Sequence, residues 1–313
     1  MPIYGLPRPF PEQNEGPDTV HYLAVFSSST RDDLSIDEVT AFLEDVPKSG
    51  TSATILDDGR AIEVNLGTTA ITGLDVIRSQ AADQQIDMNV IPSTDRRKRL
   101  LVADMDSTII TSESLDDMAQ IAGLSSRILP ITERAMRGEL DFEAALDERV
   151  ALLRGLPDSL IAQALDEARF TGGARQLVQT MRANGAKCYL VSGGFTAITG
   201  PIAAACGFHG DHANVLETEE GLLTGTVAKP VLDRDSKLRF LDHYCGSLGI
   251  GRESAACIGD GANDLAMLQA AGFGVAFHGK PLLREAVALQ LNFTDLTGLL
   301  YLQGYSRSEF SDA

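Results

Sequence analysis

The sequence predicts an α/β fold: a Rossmann-like parallel sheet with a helical cap insertion, preceded by a small ferredoxin-like α+β module. Three observations predict it. Short apolar runs alternate with helical stretches from Leu100 onward, helical periodicity interrupts this alternation at about 112–170, and the N-terminal part has its own order of strands and helices. Continuous apolar strands alternating with helices are typical of a parallel sheet covered on both faces.

Composition limits the classes of partner and compartment. The chain has 313 residues, enough for two domains, and a formal net charge of -18. That charge disfavours a nucleic-acid partner, because phosphate backbones would be repelled. No apolar run reaches the length of a membrane span, so we expect no membrane partner. Four cysteines without C-x-x-C spacing and no signal-peptide pattern predict free thiols and a cytoplasmic protein.

The N-terminal third predicts a flexible segment over 1–18 and a separate module over 19–95. "HYLAVFSSS" predicts a strand, "SIDEVTAFLED" a helix, and "SATILDDGRAIEVNLG" a hairpin around Asp-Gly. A helix at about 69–83 and the strand "IDMNVI" complete the order βαββαβ. This order resembles the regulatory ligand-binding (ACT-like) domains fused to amino-acid enzymes. The resemblance implies an amino-acid ligand or a homodimer contact, and a degenerate remnant is the alternative.

The remainder predicts a second domain over 96–300, which follows the basic linker "PSTDRRKR", and a frayed tail over 301–313. Its strands are expected in "LLVAD", "AKCYLVSGG", "AACIGDG" and "FGVAF". Ligands of such sheets bind outside the carboxyl ends of the strands. The insertion at about 112–170 predicts four helices beside those ends, where they can act as a lid.

Polar residues follow several of these strands. Asp104 and Asp106 come directly after "LLVA", and Ser192 and Gly193 lie in "VSGGF". A hydroxyl and exposed N–H groups beside a helix N-terminus form a cradle for an anion. Taken singly, an aspartate pair in a turn and a glycine turn need no function.

Two further features complete the set. Lys237 begins an amphipathic helix, and "IGDGANDLAML" places Asp260, Asn263 and Asp264 at a strand-to-helix turn. Acids at this spacing can hold a hard cation through oxygen ligands. A surface lysine and a capped glycine turn are the ordinary alternatives. Together, however, the features supply a nucleophile, a proton carrier, phosphate ligands and a cation site, as phosphoryl transfer requires.

The order D-x-D-x-T, S-G-G, Lys and G-D-x-x-N-D closely resembles the haloacid dehalogenase (HAD) superfamily, and within it the phosphoserine phosphatase family, over about 98–300. The resemblance implies that Asp104 is the nucleophile that becomes an aspartyl phosphate, and that Asp106 is first general acid and then general base. The resemblance also implies binding roles for further residues. Phosphate would be bound by Ser192, Gly193 and Lys237, with Asn263 nearby, and Mg²⁺ by the Asp104 carboxylate, the Asp106 carbonyl and the Asp260 carboxylate, with Asp264 supporting them.

The same resemblance extends to the cap. Glu113 and Arg149 match positions that meet the ammonium and the carboxylate of the substrate, and Met136 and Phe142 match apolar residues that exclude water. Arginine suits a carboxylate because it binds in bidentate fashion. Ordinary helix surface charge is the alternative for Glu113 and Arg149. The implied activity is Mg²⁺-dependent hydrolysis of O-phosphoserine to serine and phosphate, the last step of serine biosynthesis.

Other functions fit the sequence less well. A cysteine phosphatase needs C-x5-R, and "CGSLGIGR" places Arg252 one residue too late. A dinucleotide enzyme needs a glycine-rich turn after the first strand, and "ADMDST" has none. Transfer of the phosphoryl group to an alcohol such as homoserine, instead of water, stays open. An amino-acid sensor with an inactive phosphatase core is disfavoured because every acid, the lysine and the serine are present.

Overall fold

The computed structural model describes residues 20–46, 52–68, 73–136 and 139–311, except for the side chain of Met136. The predicted flexible segment 1–18 lies outside the described residues. The strands are β1 Tyr22–Ser27, β2 Ala53–Asp57, β3 Ala61–Gly67, β4 Asp87–Pro92, β5 Leu100–Ala103, β6 Lys187–Phe195, β7 Gly210–Asn214, β8 Leu216–Glu219, β9 Leu222–Val227, β10 Ala255–Gly259, β11 Phe273–Phe277 and β12 Leu289–Leu291. The helices are α1 Ile36–Phe42, α2 Leu74–Asp83, α3 Ser114–Ile121, α4 Ser125–Met136, α5 Phe142–Ala151, α6 Ser159–Glu167, α7 Ala174–Ala183, α8 Thr196–Cys206, α9 Ser236–Leu248, α10 Leu265–Ala270, α11 Pro281–Ala286 and α12 Gly298–Leu302.

The N-terminal module has the predicted βαββαβ order. Its four strands form an antiparallel sheet in the order β2-β3-β1-β4. A separate apolar core, which includes Phe26, Val39 and Ile62, lies between the sheet and the two helices. Gly59 makes the predicted hairpin turn with φ +70°, and a Cβ there would overlap the carbonyl of Asp32. The ferredoxin-like part of the fold prediction is therefore confirmed.

The second sheet is parallel, as predicted, with the strand order β12-β11-β10-β5-β6-β7. Strand β5 lies at its centre, between β10 and β6. The register pairs Ala103 with Ile258 on one side and with Leu190 on the other. The residues that follow these three parallel strands therefore lie next to one another at the carboxyl-terminal edge of the sheet.

Four helices, α3 to α6, form the insertion between β5 and β6, as predicted. Their apolar residues, among them Leu115, Met118 and Leu146, join the same buried cluster as the sheet. The sequence did not predict the hairpin β8–β9, which supports this cap. The amide of Gly155 donates to Leu223 O (2.8 Å), and the amide of Leu223 donates to Leu156 O (2.8 Å). The turn between α5 and α6 thus pairs with β9.

The prediction of a frayed tail over 301–313 is wrong for the described residues. Helix α12 continues past residue 300, and Tyr301, Tyr305 and Phe310 are buried in the main core. The guanidinium of Arg97 lies 4.1 Å from the Tyr305 ring centre. The polar letters "SRSE" suggested a tail, but they form a short capped turn between buried aromatic residues.

The module is joined to the core through its edge strand β4. Asp87 is buried, and its carboxylate accepts hydrogen bonds from the amides of residues 292, 293 and 294, at 2.8, 2.9 and 2.8 Å. Asn89 exchanges two hydrogen bonds with the backbone of Gln290, both 2.8 Å. These side chains replace the strand pairing that two open sheet edges would otherwise need.

The composition predicts free thiols and no membrane span. The four cysteines are free and buried. Among the described residues, no helix combines the length and the apolar character that crossing a bilayer requires.

Candidate active site

Asp104 follows the central strand β5. Its amide continues the pairing with β10 through a 3.0 Å hydrogen bond to Ile258 O. The residue is 4% exposed; Oδ1 accepts from the Met105 amide (2.8 Å) and lies 2.7 Å from Lys237 Nζ. Burial and the neighbouring Asp264 raise the pKa of Asp104 well above its usual value, although Lys237 acts against this.

Asp106 lies at a sharp reversal of the chain. Ser107 adopts a left-handed conformation (φ 55°, ψ 6°), and its amide donates to Ser112 O (3.0 Å). The Asp106 carboxylate accepts from the Ser114 amide (2.8 Å) and from Ser192 Oγ (3.1 Å). Burial and then the charge of Glu113 raise the pKa of Asp106 to about 6. A carboxyl group with that pKa can both give and take a proton near neutral pH.

Glu113 stands at the N-terminus of the cap helix α3, on the side of the two aspartates. Its Oε1 accepts a hydrogen bond from Ser107 Oγ (2.9 Å). The carboxylate thus faces the D-x-D turn.

The end of β6 holds Ser192 and Gly193, the residues predicted to form an anion cradle. Ser192 is buried, and its Oγ accepts from the Gly194 amide (2.8 Å) while it donates to Asp106. A Cβ on Gly194 would lie 3.0 Å from Asp106 Oδ2 and 3.1 Å from Ser192 Oγ. A Cβ on Gly193 would lie 3.1 Å from Cζ of Phe142. Both glycines therefore permit a close approach, and Phe142 covers this end of the strand.

Lys237 is a buried cation between two acids. It is 3% exposed, and its Nζ lies 2.7 Å from Asp104 Oδ1 and 2.5 Å from Asp264 Oδ1. Burial lowers the pKa of Lys237, but the two carboxylates more than offset this and raise it above its ordinary value. Lys237 is thus a fixed positive charge beside Asp104.

Asp104, Asp260 and Asp264 form a buried cluster in which one carboxylate oxygen from each lies within 4.8 Å of the others. Asp264 also accepts from the Gly261 amide (3.0 Å), and Asp260 pairs with Lys280 (3.2 Å). Burial, and to a smaller extent Asp264, raise the pKa of Asp260. Three converging carboxylates suit a hard divalent cation, which takes oxygen ligands. The Asp106 carboxylate stands outside this cluster.

A small cavity, partly open to solvent, lies beside these groups. It brings together five of the residues that the sequence singled out, namely Phe142, Ser192, Gly193, Lys237 and Asn263. Its wall also includes residues 232–234, which the sequence analysis did not identify. They belong to a segment without regular structure before α9, and no strand-end pattern marks them.

Two predicted substrate residues are not brought to this cavity. The side chain of Met136 lies outside the described part of the chain. Arg149 is not among the residues of the cavity wall. Its Nη2 pairs with Asp116 Oδ1 (2.6 Å), and its Nε is buried without a hydrogen-bond partner.

Lys280 and Asn214 also contact the site, and neither was predicted from the sequence. Lys280 follows "FGVAF" at the end of β11 and pairs with Asp260, so the strand-end rule could have found it. Asn214 donates from Nδ2 to Gly193 O (2.8 Å). It ends β7, a strand that the sequence analysis had not identified.

Residues 101–269 match the family model of haloacid dehalogenase-like hydrolases. The chain belongs to the haloacid dehalogenase-like hydrolase family. In solved structures, it is similar to a HAD family hydrolase from Salmonella enterica serovar Typhi, with a TM-score of 0.80 and 27% identity over 90% of this chain and 98% of that one. It is also similar to a phospho-aspartyl intermediate analogue of phosphoserine phosphatase, with a TM-score of 0.61 and 35% identity over 65% of this chain and 98% of that one.

Curated relatives of this HAD-like hydrolase include phosphoserine phosphatases. That of Streptomyces coelicolor is 41% identical over 76% of this chain, and that of Streptococcus thermophilus is 42% identical over 64% of this chain. The match spans 58% of the Streptomyces coelicolor protein and 93% of the Streptococcus thermophilus protein. The chain thus spans less than two thirds of the former relative's length, and likewise 58% of the Mycobacterium tuberculosis phosphoserine phosphatase.

Proposed function

We propose that the protein is a phosphoserine phosphatase, which hydrolyses O-phosphoserine to serine and phosphate through an aspartyl phosphate. The observation that carries the proposal is the buried arrangement of Lys237 between Asp104 and Asp264, beside a cavity lined by Ser192 and Gly193. This arrangement supports the proposal, because Asp104 would serve as the nucleophile, Lys237 as a fixed positive charge and the Ser192–Gly193 turn as a phosphate ligand. Relatives named phosphoserine phosphatase at 37–42% identity support the choice of substrate.

In the first step, the Asp104 carboxylate attacks phosphorus and the bond to the serine oxygen breaks. Asp106, held by the Ser114 amide and Ser192 Oγ, gives its proton to that oxygen. The Ser192 hydroxyl, the Gly193 turn and Lys237 hold the phosphate oxygens in place. Each of these groups lies on a strand end or a helix start, so little reorganisation is needed.

In the second step, Asp106 takes a proton from water, which attacks the phosphorus and releases phosphate from Asp104. The pKa of Asp106, raised to about 6, suits both roles. Phe142 covers the turn at Gly193 and excludes other water from the acyl phosphate. Met136 is proposed to exclude water together with Phe142.

The carboxylates of Asp104 and Asp260 would hold Mg²⁺, with Asp264 in support and the Asp106 carbonyl as a further ligand. When bound, the ion neutralises charge between the Asp104 carboxylate and the phosphate oxygens. The three-carboxylate cluster fits it. Glu113 and Arg149 are proposed to bind the ammonium and carboxylate of phosphoserine. Arg149 would have to exchange its contact with Asp116 or share it.

The test is phosphate release from a panel of phosphomonoesters with and without Mg²⁺. We expect phosphoserine to be hydrolysed with a much larger kcat/KM than sugar phosphates or phosphothreonine, and EDTA to abolish turnover. Equal kcat/KM values across the panel would contradict the substrate assignment. Homoserine added to the assay should not yield phosphohomoserine if water is the acceptor.

A further inference from the structure

Behind the cavity, Asn214 joins two of its walls. It is the last residue of β7, and it is 2% exposed. Nδ2 donates to the carbonyl of Gly193 (2.8 Å), and Oδ1 accepts from the amide of Leu232 (2.7 Å). Gly193 and Leu232 both line the cavity. Asn214 itself is not part of the wall, so it acts on the cavity through its neighbours.

The bond to Gly193 begins a continuous chain of hydrogen bonds. The Gly193 carbonyl and the Gly194 amide belong to one peptide unit, and the Gly194 N–H donates to Ser192 Oγ (2.8 Å). Ser192 Oγ donates in turn to Asp106 Oδ2 (3.1 Å). A hydrogen bond at one end of a peptide unit fixes the direction of the other end and polarises it. Asn214 therefore constrains the orientation of the Ser192 hydroxyl.

The bond to Leu232 acts on the opposite wall. Between the end of β9 at Val227 and the start of α9 at Ser236, the chain has no regular secondary structure. Lys237 is the second residue of α9. The Oδ1 bond anchors the irregular segment four residues before the helix starts. It thereby limits how far the start of α9 can move from the Ser192–Gly194 turn.

We propose that Asn214 is a positioning residue of the phosphate site. Its two hydrogen bonds fix the position of the Ser192–Gly194 turn relative to the segment that leads to Lys237. It does not contact the substrate. This inference rests on the proposed function, because it takes the turn and Lys237 to be the groups that hold phosphate. It adds a residue whose effect should be common to all phosphomonoesters.

A buried asparagine can also serve folding alone, and the chain contains a matched control. Asn89 is 1% exposed, and its side chain likewise makes one donated and one accepted hydrogen bond with backbone, both to Gln290. It lies where the module meets β12, away from the cavity. Asn89→Ala and Asn214→Ala therefore remove similar interactions at different places.

The experiment measures the inhibition constant of inorganic phosphate, together with kcat/KM for phosphoserine and for p-nitrophenyl phosphate, in the full-length protein with Mg²⁺. For Asn214→Ala, we expect phosphate to bind about 10-fold more weakly, the size expected for a lost hydrogen bond to a buried group. Both kcat/KM values should fall by a similar factor. Asn89→Ala should lower the melting temperature comparably and leave all three kinetic constants within about twofold of wild type.

A second variant separates the two bonds and serves if Asn214→Ala fails to fold. Asn214→Asp keeps an acceptor for the Leu232 amide but turns a carboxylate oxygen toward the Gly193 carbonyl. We expect phosphate binding to weaken at least as much as in Asn214→Ala. The inference would be overturned if Asn214→Asp had the wild-type inhibition constant for phosphate and wild-type kcat/KM values. It would also be overturned if Asn89→Ala weakened phosphate binding and lowered kcat/KM as much as Asn214→Ala does. A wild-type protein that hydrolyses neither ester would instead overturn the proposed function.

Discussion

The guanidinium of Arg149 is held within the cap by Asp116, with 2.6 Å between Nη2 and Oδ1. Only one of its nitrogens is occupied by this contact, and Nε is buried without a partner. A buried N–H without a partner costs free energy, which a substrate carboxylate could recover. Binding of the substrate carboxylate by Arg149, as proposed above, would supply an acceptor for this N–H.

Replacing Arg149 with Ala should reduce kcat/KM for phosphoserine by about 100-fold, the usual effect of removing one member of a desolvated charge pair. For p-nitrophenyl phosphate, which has no carboxylate, the loss should stay within about threefold. Steady-state kinetics on both esters measures this difference. Arg134→Ala is the control, because Arg134 is also a cap arginine paired with a cap acid, Glu148, at 2.8 Å. Equal losses on both esters would mean that Arg149 is structural.

Asp104→Asn should abolish turnover, with a loss of at least about 1000-fold, since an amide cannot replace the carboxylate as nucleophile. Intact-protein mass spectrometry after acid quenching should find a phosphoryl adduct in the wild type and none in the variant. Asp242→Asn removes an exposed acid paired with Arg252 and should retain both activity and adduct. Turnover by Asp104→Asn at more than a few per cent of wild type would rule out the aspartyl phosphate at this residue.

Asp260→Asn should weaken the binding of Mg²⁺ by about 10-fold or more, because the variant removes one anionic oxygen ligand from the cluster. Isothermal titration with MgCl₂ in the absence of substrate measures this effect without relying on activity. Asp233→Asn, at the cavity wall but outside the cluster, is the control and should bind Mg²⁺ as the wild type does. Unchanged affinity in Asp260→Asn would place the cation elsewhere.

The pKa of Asp106, raised to about 6, makes stability depend on pH. Between about pH 4 and 6, the folded protein retains a proton that the unfolded chain releases, so the free energy of unfolding falls as pH rises. The free energy of unfolding of the metal-free wild type, taken relative to that of Asp106→Asn, should therefore fall by about 2 kcal/mol from pH 4 to pH 7. Urea unfolding at several pH values measures the difference.

Asp233→Asn tests the sign of this effect. The pKa of Asp233 is lowered, chiefly by its hydrogen bond with Ser236, so its stabilisation is present at neutral pH and lost as pH falls. The difference in the free energy of unfolding between the wild type and Asp233→Asn should therefore rise with pH, opposite to the effect of Asp106. The change should be smaller because Asp233 is exposed. If the difference in the free energy of unfolding between the wild type and Asp106→Asn stayed constant with pH, it would contradict the raised pKa of Asp106.

The sequence predicted the central strands and the strand-end residues because both depend on local patterns. Apolar runs that end in Asp104, Ser192 and Asp260 are visible as letters, and a parallel sheet must bring such ends together. Edge strands were missed, since β7 and β12 are short and partly polar. Asn214 was missed with β7. The contact of Arg149 with Asp116 joins residues 33 positions apart and depends on how two cap helices pack, which periodicity alone does not determine.

The tail prediction failed for a related reason. A polar sequence at a chain end usually indicates fraying, but two aromatic residues within it, Tyr305 and Phe310, bury their rings in the core. Tyr301, at the start of the same segment, donates a hydrogen bond from its hydroxyl to Asp57 Oδ2 of the module (2.6 Å). The segment therefore helps to connect the two parts of the chain.

The junction between module and core yields the last prediction. Asp87→Ala should lower the free energy of unfolding by about 3 kcal/mol, because one buried and two partly buried amides lose their acceptor at once. It should leave kcat/KM for phosphoserine within about twofold, since Asp87 lies at β4 and not at the cavity. Urea unfolding and steady-state kinetics measure the two effects. Asp83→Ala, at the end of α2, is the control and should change neither. A large loss of activity in a folded Asp87→Ala protein would mean that the junction also controls the geometry of the site, through β12 and its neighbour β11, which leads to Lys280, the ion-pair partner of Asp260.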